Sequence, residues 1–157
     1  MKQNSTKPLK WLTGVIGALG LISVIGLAAQ TMGFFWGFPI SQKAVWIDDM
    51  EYLQAGIAIF RLLGGTTLFI SLIVFMFNSI KALNNGILFP RKNIFWLFCA
   101  AATSFIFLFC ETNVLLVLGE QQICLDFEEI LVPAIISTFA LIYRVAVQVS
   151  EENSLTI

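Results

Sequence analysis

Residues 11–36 read WLTGVIGALGLISVIGLAAQTMGFFW, and no charge falls between Lys10 and Lys43. Roughly 20 apolar residues cross a bilayer core, so this run is long enough to span with some tilt. The rest of the chain repeats the pattern. A second run covers 53–80, interrupted only by Arg61. A third covers 94–118 and contains Glu111, and a fourth covers 130–149 with Arg144 near its end. Four helical spans are predicted.

Composition points the same way. Of 157 residues, 58% are hydrophobic and 12% charged, against about 25% charged in an ordinary soluble domain. A soluble globule this small would leave too much of that apolar surface in water. Disordered chains have the opposite composition. A net charge of −1 gives nucleic acid no electrostatic attraction.

Arg61 does not cancel the second span. A mid-helix Arg opposes insertion by about 2.5–3.5 kcal/mol, and each Leu, Ile, Phe or Val favours it by about 0.3–0.6 kcal/mol. Thirteen such residues lie between Ile57 and Phe77, and the side chain can also snorkel outward. Pro8, Pro39 and Pro90 fall outside the runs, and Pro133 is expected in the first turn of the fourth, where a missing N–H is tolerated. Trp11, Trp36, Trp46 and Trp96 fall at or just beyond span ends, the headgroup level that amphipathic rings prefer.

Lys2, Lys7, Lys10, Lys81, Arg91, Lys92 and Arg144 flank the spans on one side, against Lys43 on the other. The positive-inside rule puts both termini and the middle loop in the cytoplasm. Short loops favour an up-down four-helix transmembrane bundle forming a single membrane domain over 1–157. Gly26-Leu27-Ala28 resembles a signal-peptide cleavage site, but the apolar run continues to Trp36, beyond the usual 7–15 residues. An uncleaved first span is expected.

Little in the chain points to catalysis. There is no His, the commonest metal ligand and general base. Cys99, Cys110 and Cys124 form no C-x-x-C pair, so zinc and thioredoxin-like motifs are missing. Cys110 and Cys124 are either disulfide partners on the outer side or small apolar fillers. No phosphate loop, serine-nucleophile motif or metalloprotease motif occurs. No catalytic residue, cofactor or metal is expected. The acidic stretches 48–51 and 126–129 have no ordered cation-ligand spacing and read as a solvated, topology-setting face.

Arg61 and Glu111 are the sharpest feature. Ionisable groups inside a membrane usually face the protein interior and pair. Counted along helices rising about 1.5 Å per residue, the two lie at similar depth. An interhelical pair, with Asn113 assisting, competes with a snorkelling Arg61 and a Glu111 that marks an early span end. In the first span Gly14, Gly17, Gly20, Ser23, Gly26 and Ala29 recur every third place. At 3.6 residues per turn such a stripe winds around the helix, leaving Gly14-x-x-x-Ala18 as the fixed-face pair. Gln30, Thr66, Thr67, Ser71, Asn78, Thr103, Ser104, Ser137 and Thr138 are polar at mid-depth, but such hydroxyls mostly bond their own backbone or a neighbouring helix.

The middle loop carries Gly86-x-x-Phe89-x-x-x-Asn93, and the chain ends Glu151-Glu152-Asn153-Ser154-Leu155-Thr156-Ile157. Gly86 permits a turn, Asn93 is suited to cap the third span, and Lys81, Arg91 and Lys92 can meet anionic lipid. Both motifs resemble the bacterial four-span membrane family known as domain of unknown function 2975. Its members commonly end Glu-Glu-Asn-x-Leu-Thr-Ile or Val and carry Gly-x-Pro-Phe-x-x-x-Asn. Here Leu88 stands in the Pro position and Pro90 follows Phe89. The family has no established activity. The resemblance implies a helix-turn-helix regulator as partner, because the two are often encoded side by side.

The sequence therefore predicts a multi-pass protein of a bacterial cytoplasmic membrane without enzymatic activity. It would act as an interaction or regulatory component through Gly86, Phe89, Asn93 and the 151–157 tail. The alternative is a subunit of a small homo-oligomeric channel or transporter whose polar site includes Arg61 and Glu111.

Overall fold

The computed structural model describes residues 7–37 and 43–155. Five helices follow in order: α1 (Lys7–Trp36), α2 (Glu51–Asn84), α3 (Lys92–Thr112), α4 (Val114–Val117) and α5 (Phe127–Leu155). No strand occurs among the described residues. α1, α2, α3 and α5 are each long and apolar enough to cross a membrane, which fits a multi-pass membrane protein.

The ends of α2 suit the helix dipole, with Glu51 in its first turn and Lys81 in its last. The chain leaves α2 through Gly86 at φ +78°, a left-handed conformation open to glycine without a Cβ penalty. The Gly86 and Ile87 N–H groups donate back to the carbonyls of Leu83 and Ala82.

Several boundaries differ from the sequence reading: α1 begins at Lys7 rather than Trp11 and so takes Pro8 into its first turn, where a missing N–H is tolerated, and α2 runs on to Asn84 rather than Ile80. The third span does not continue to Leu118. α3 stops at Thr112, and Asn113 separates it from α4. The Asn113 amide donates to the carbonyls of Phe109 and Cys124 and accepts from the Cys124 N–H, each at 2.8 Å. That clamp competes with helix continuation. α5 begins three residues earlier than expected, which puts Pro133 in its second turn, where the ring removes the bond to the Glu129 carbonyl. α5 also runs on to Leu155, so the segment expected as a tail is helical through that residue.

α1 lies against α2, α2 against α3, and α3 against α5, with no substantial contact between α1 and α5. The expected four-helix bundle is thus an open row rather than a closed ring. The tightest seam is α2 on α3. A Cβ on Gly64 would sit 3.1 Å from the Phe107 backbone nitrogen, so the two backbones approach closely only because Gly64 has no side chain. In α1 the small residue that matters is Gly20, which admits the Phe69 ring; Gly14 faces open space. Gly64→Val is expected to lower stability by about 3 kcal/mol through overpacking, whereas Gly14→Val should leave the melting temperature in mild detergent nearly unchanged. Equal shifts for the two would contradict this account of the seam.

A small core forms where α2, α4 and the 43–47 segment meet, around Ile57, Ala58, Leu116 and Val117. Gln54 is fully buried there. Its side chain accepts from the Ile47 N–H at 3.0 Å and donates to the carbonyls of Val45 at 2.9 Å and Leu116 at 2.7 Å. One α2 side chain therefore holds both segments outside the long helices.

Candidate functional site

Arg61 of α2 and Glu111 of α3 are brought together. The guanidinium binds the carboxylate bidentately, Nε donating to Oε2 and Nη2 to Oε1, the latter at 3.0 Å. This is the single salt bridge among the described residues. A third helix joins it, because Arg61 Nη1 donates to Gln30 Oε1 of α1 at 2.9 Å. The Arg61 side chain is 7% exposed and that of Glu111 43%. The planar fork matches the carboxylate geometry, and the pair leaves one side of Glu111 open.

The assisting role given to Asn113 is not seen, since its amide is fully used by Phe109 and Cys124. Gln30 takes that place. Nothing local in the sequence marks Gln30 as an Arg61 ligand; its position as the one polar amide of the first span was the available signal. Cys99, Cys110 and Cys124 are free thiols, Cys110 buried and Cys124 exposed, so the disulfide alternative is not realised.

Glu129 overturns its sequence reading. Expected on a solvated acidic face, it is 1% exposed in the first turn of α5. Neither carboxylate oxygen has a hydrogen-bond partner among the described residues. A buried carboxylate without bonds is costly, and the positive N-terminal end of α5 offsets part of that cost. Asp48, Asp49 and Glu51 line a shallow cleft elsewhere. No group of three or more metal-ligating side chains forms among the described residues.

At the other end of the row, the loop motif is built around Tyr143 of α5. The Phe89 ring meets it edge-on at 5.6 Å and the Phe75 ring at 5.8 Å. Asn93 is not the cap of α3, which the sequence reading made it. It is fully buried as the second residue of the helix, and its amide donates to Ser79 Oγ at 2.8 Å and to the Phe75 carbonyl at 3.2 Å. The amide nitrogen donates across the interface rather than at its own helix end, while the buried Asn93 Oδ1 has no hydrogen-bond partner among the described residues. Gly86 forms the turn, with Ile87 and Leu88 exposed beside it. Glu151 and Glu152 lie in the last turns of α5, as does the backbone of Asn153 and Leu155; Thr156 and Ile157 fall outside the described residues.

Of the mid-depth hydroxyls, Ser71, Thr103, Ser104 and Thr138 donate to carbonyls of their own helices, those of Thr67, Cys99, Ala101 and Ala134. Compared with known protein families, curated proteins and solved structures, the chain has no match.

Proposed function

We propose that this chain is a non-enzymatic interaction component of a bacterial cytoplasmic membrane. Its four long helices cross the bilayer up and down, with both termini and the 85–91 loop in the cytoplasm. The observation that carries the reading is how the polar groups are used. Each guanidinium nitrogen of Arg61 donates to Glu111 or Gln30, and Ser71, Thr103, Ser104 and Thr138 bond their own backbones. The loop instead turns Ile87 and Leu88 outward beside Arg91 and Lys92. Exposed apolar residues rimmed by charge are a common contact surface.

The partner to test first is the helix-turn-helix regulator that the family resemblance implies. Copurification of that regulator from native membranes, lost with Leu88→Glu or on deleting 150–157 while membrane insertion is kept, is the expected result. Copurification unchanged in both variants would contradict the reading.

The second reading, a subunit of a homo-oligomeric channel or transporter, is favoured by the bond-free carboxylate of Glu129 and the open side of Glu111. It predicts a homo-oligomer whose flux into proteoliposomes falls with Glu129→Gln.

A further inference from the structure

We propose that the cleft between the start of α3 and the end of α5 is a binding site for the phosphate headgroup of an anionic phospholipid. The inference rests on the membrane reading above. The cleft, about 430 Å³, is lined by Arg91, Ile94 and Phe95 on one side and by Arg144, Gln148 and Glu151 on the other.

The two arginines are neighbours because of the bond beside them. The Tyr143 hydroxyl donates to the Pro90 carbonyl at 3.4 Å, and Arg91 and Arg144 are the next residues after that pair. Phe89 against the Tyr143 ring and Asn93 against Ser79 fix the same junction. The backbones of the two arginines are therefore fixed side by side, and their exposed side chains line one cleft. Neither forms a salt bridge among the described residues, and Glu151 is the one acid in the lining. Like charges held together in this way favour an anion, and the guanidinium fork suits phosphate oxygens.

The cleft is graded as an amphiphile requires. Ile94 and Phe95 continue from Arg91 into the apolar body of α3, and Phe95 is exposed. Gln148 and Glu151 continue from Arg144 toward the end of α5, which extends about 16 Å beyond Arg144 at 1.5 Å per residue. An anionic lipid places its phosphate at the arginines and its acyl chains along Ile94 and Phe95. Inorganic phosphate shares the charge and leaves the apolar wall unused.

The test uses the full chain in nanodiscs and native mass spectrometry of the lipids retained. Wild type is expected to keep phosphatidylglycerol in preference to phosphatidylcholine. At about one basic residue's worth of attraction each, Arg91→Ala and Arg144→Ala should weaken that preference roughly fivefold singly and about twenty-five-fold together. Lys81→Ala, a cation outside the cleft that meets the bilayer surface without lining the site, should weaken it less than either arginine change. Equal retention of both lipids, or an equal loss with Lys81→Ala, overturns the site, as does displacement of the lipid by inorganic phosphate alone. Alkaline carbonate extraction runs in parallel. A wild-type chain that it releases overturns the membrane reading itself; a chain that stays in the membrane without lipid preference overturns the headgroup site alone.

Discussion

Glu111→Leu is expected to lower the unfolding free energy by about 3 kcal/mol, and the Arg61→Leu/Glu111→Leu double variant to recover most of that loss. The single change strands a guanidinium that is 7% exposed with Gln30 as its remaining partner. Removing one member of a buried pair typically costs about 3–5 kcal/mol, whereas replacing both by apolar residues is often neutral or stabilising. The half-open Glu111 carboxylate puts this pair at the lower end of that range. Arg61→Leu alone should cost less than Glu111→Leu, because Glu111 can still reach a polar medium. Thermal unfolding in a mild detergent gives the cycle, and strictly additive losses would show that the contact carries no coupling.

Gln54→Leu should be comparably severe, at about 3–5 kcal/mol. Leucine nearly keeps the volume but leaves the Ile47 N–H and the Val45 carbonyl without a partner, and the Leu116 carbonyl with the Gly119 N–H alone. Each buried backbone group so abandoned costs about 1–3 kcal/mol. Because the three bonds hold the 45–47 segment and α4 to α2, the loss should be local first. Hydrogen exchange at Ile47 should accelerate in the variant before the amides at the centre of α2 respond. Unchanged exchange at Ile47 would contradict the role given to Gln54.

These two sites differ in how far they can be read from sequence. Arg61 and Glu111 stand out as single charges in otherwise uncharged runs, and counting residues along two helices puts them at one depth. Gln54 gives no such signal: it is one polar residue near a predicted span start, and its acceptors lie 9 and 62 residues away. Asn93 shows the opposite failure. Its local signal for a helix cap was clear, but burial between α2 and α5 gave its amide better partners across the interface. Glu129 was assigned to water because it sits among Asp126, Phe127 and Glu128. The early start of α5 and the Asn113 clamp on Cys124 turn it inward, and neither is visible in the local pattern. The close seam at Gly64 is likewise a property of two helices together.

The proposed topology has the four long helices crossing a membrane with both termini on one side. Cysteine labelling of intact cells with a membrane-impermeant maleimide tests it most directly. The native Cys124, exposed between α4 and α5, serves as the outer probe. Asn85→Cys and Glu152→Cys, in a Cys124→Ser background, serve as inner ones. Labelling of Cys124 in intact cells, and of positions 85 and 152 only after permeabilisation, is the predicted result. Labelling at position 85 or 152 before permeabilisation, or protection of Cys124, would contradict it.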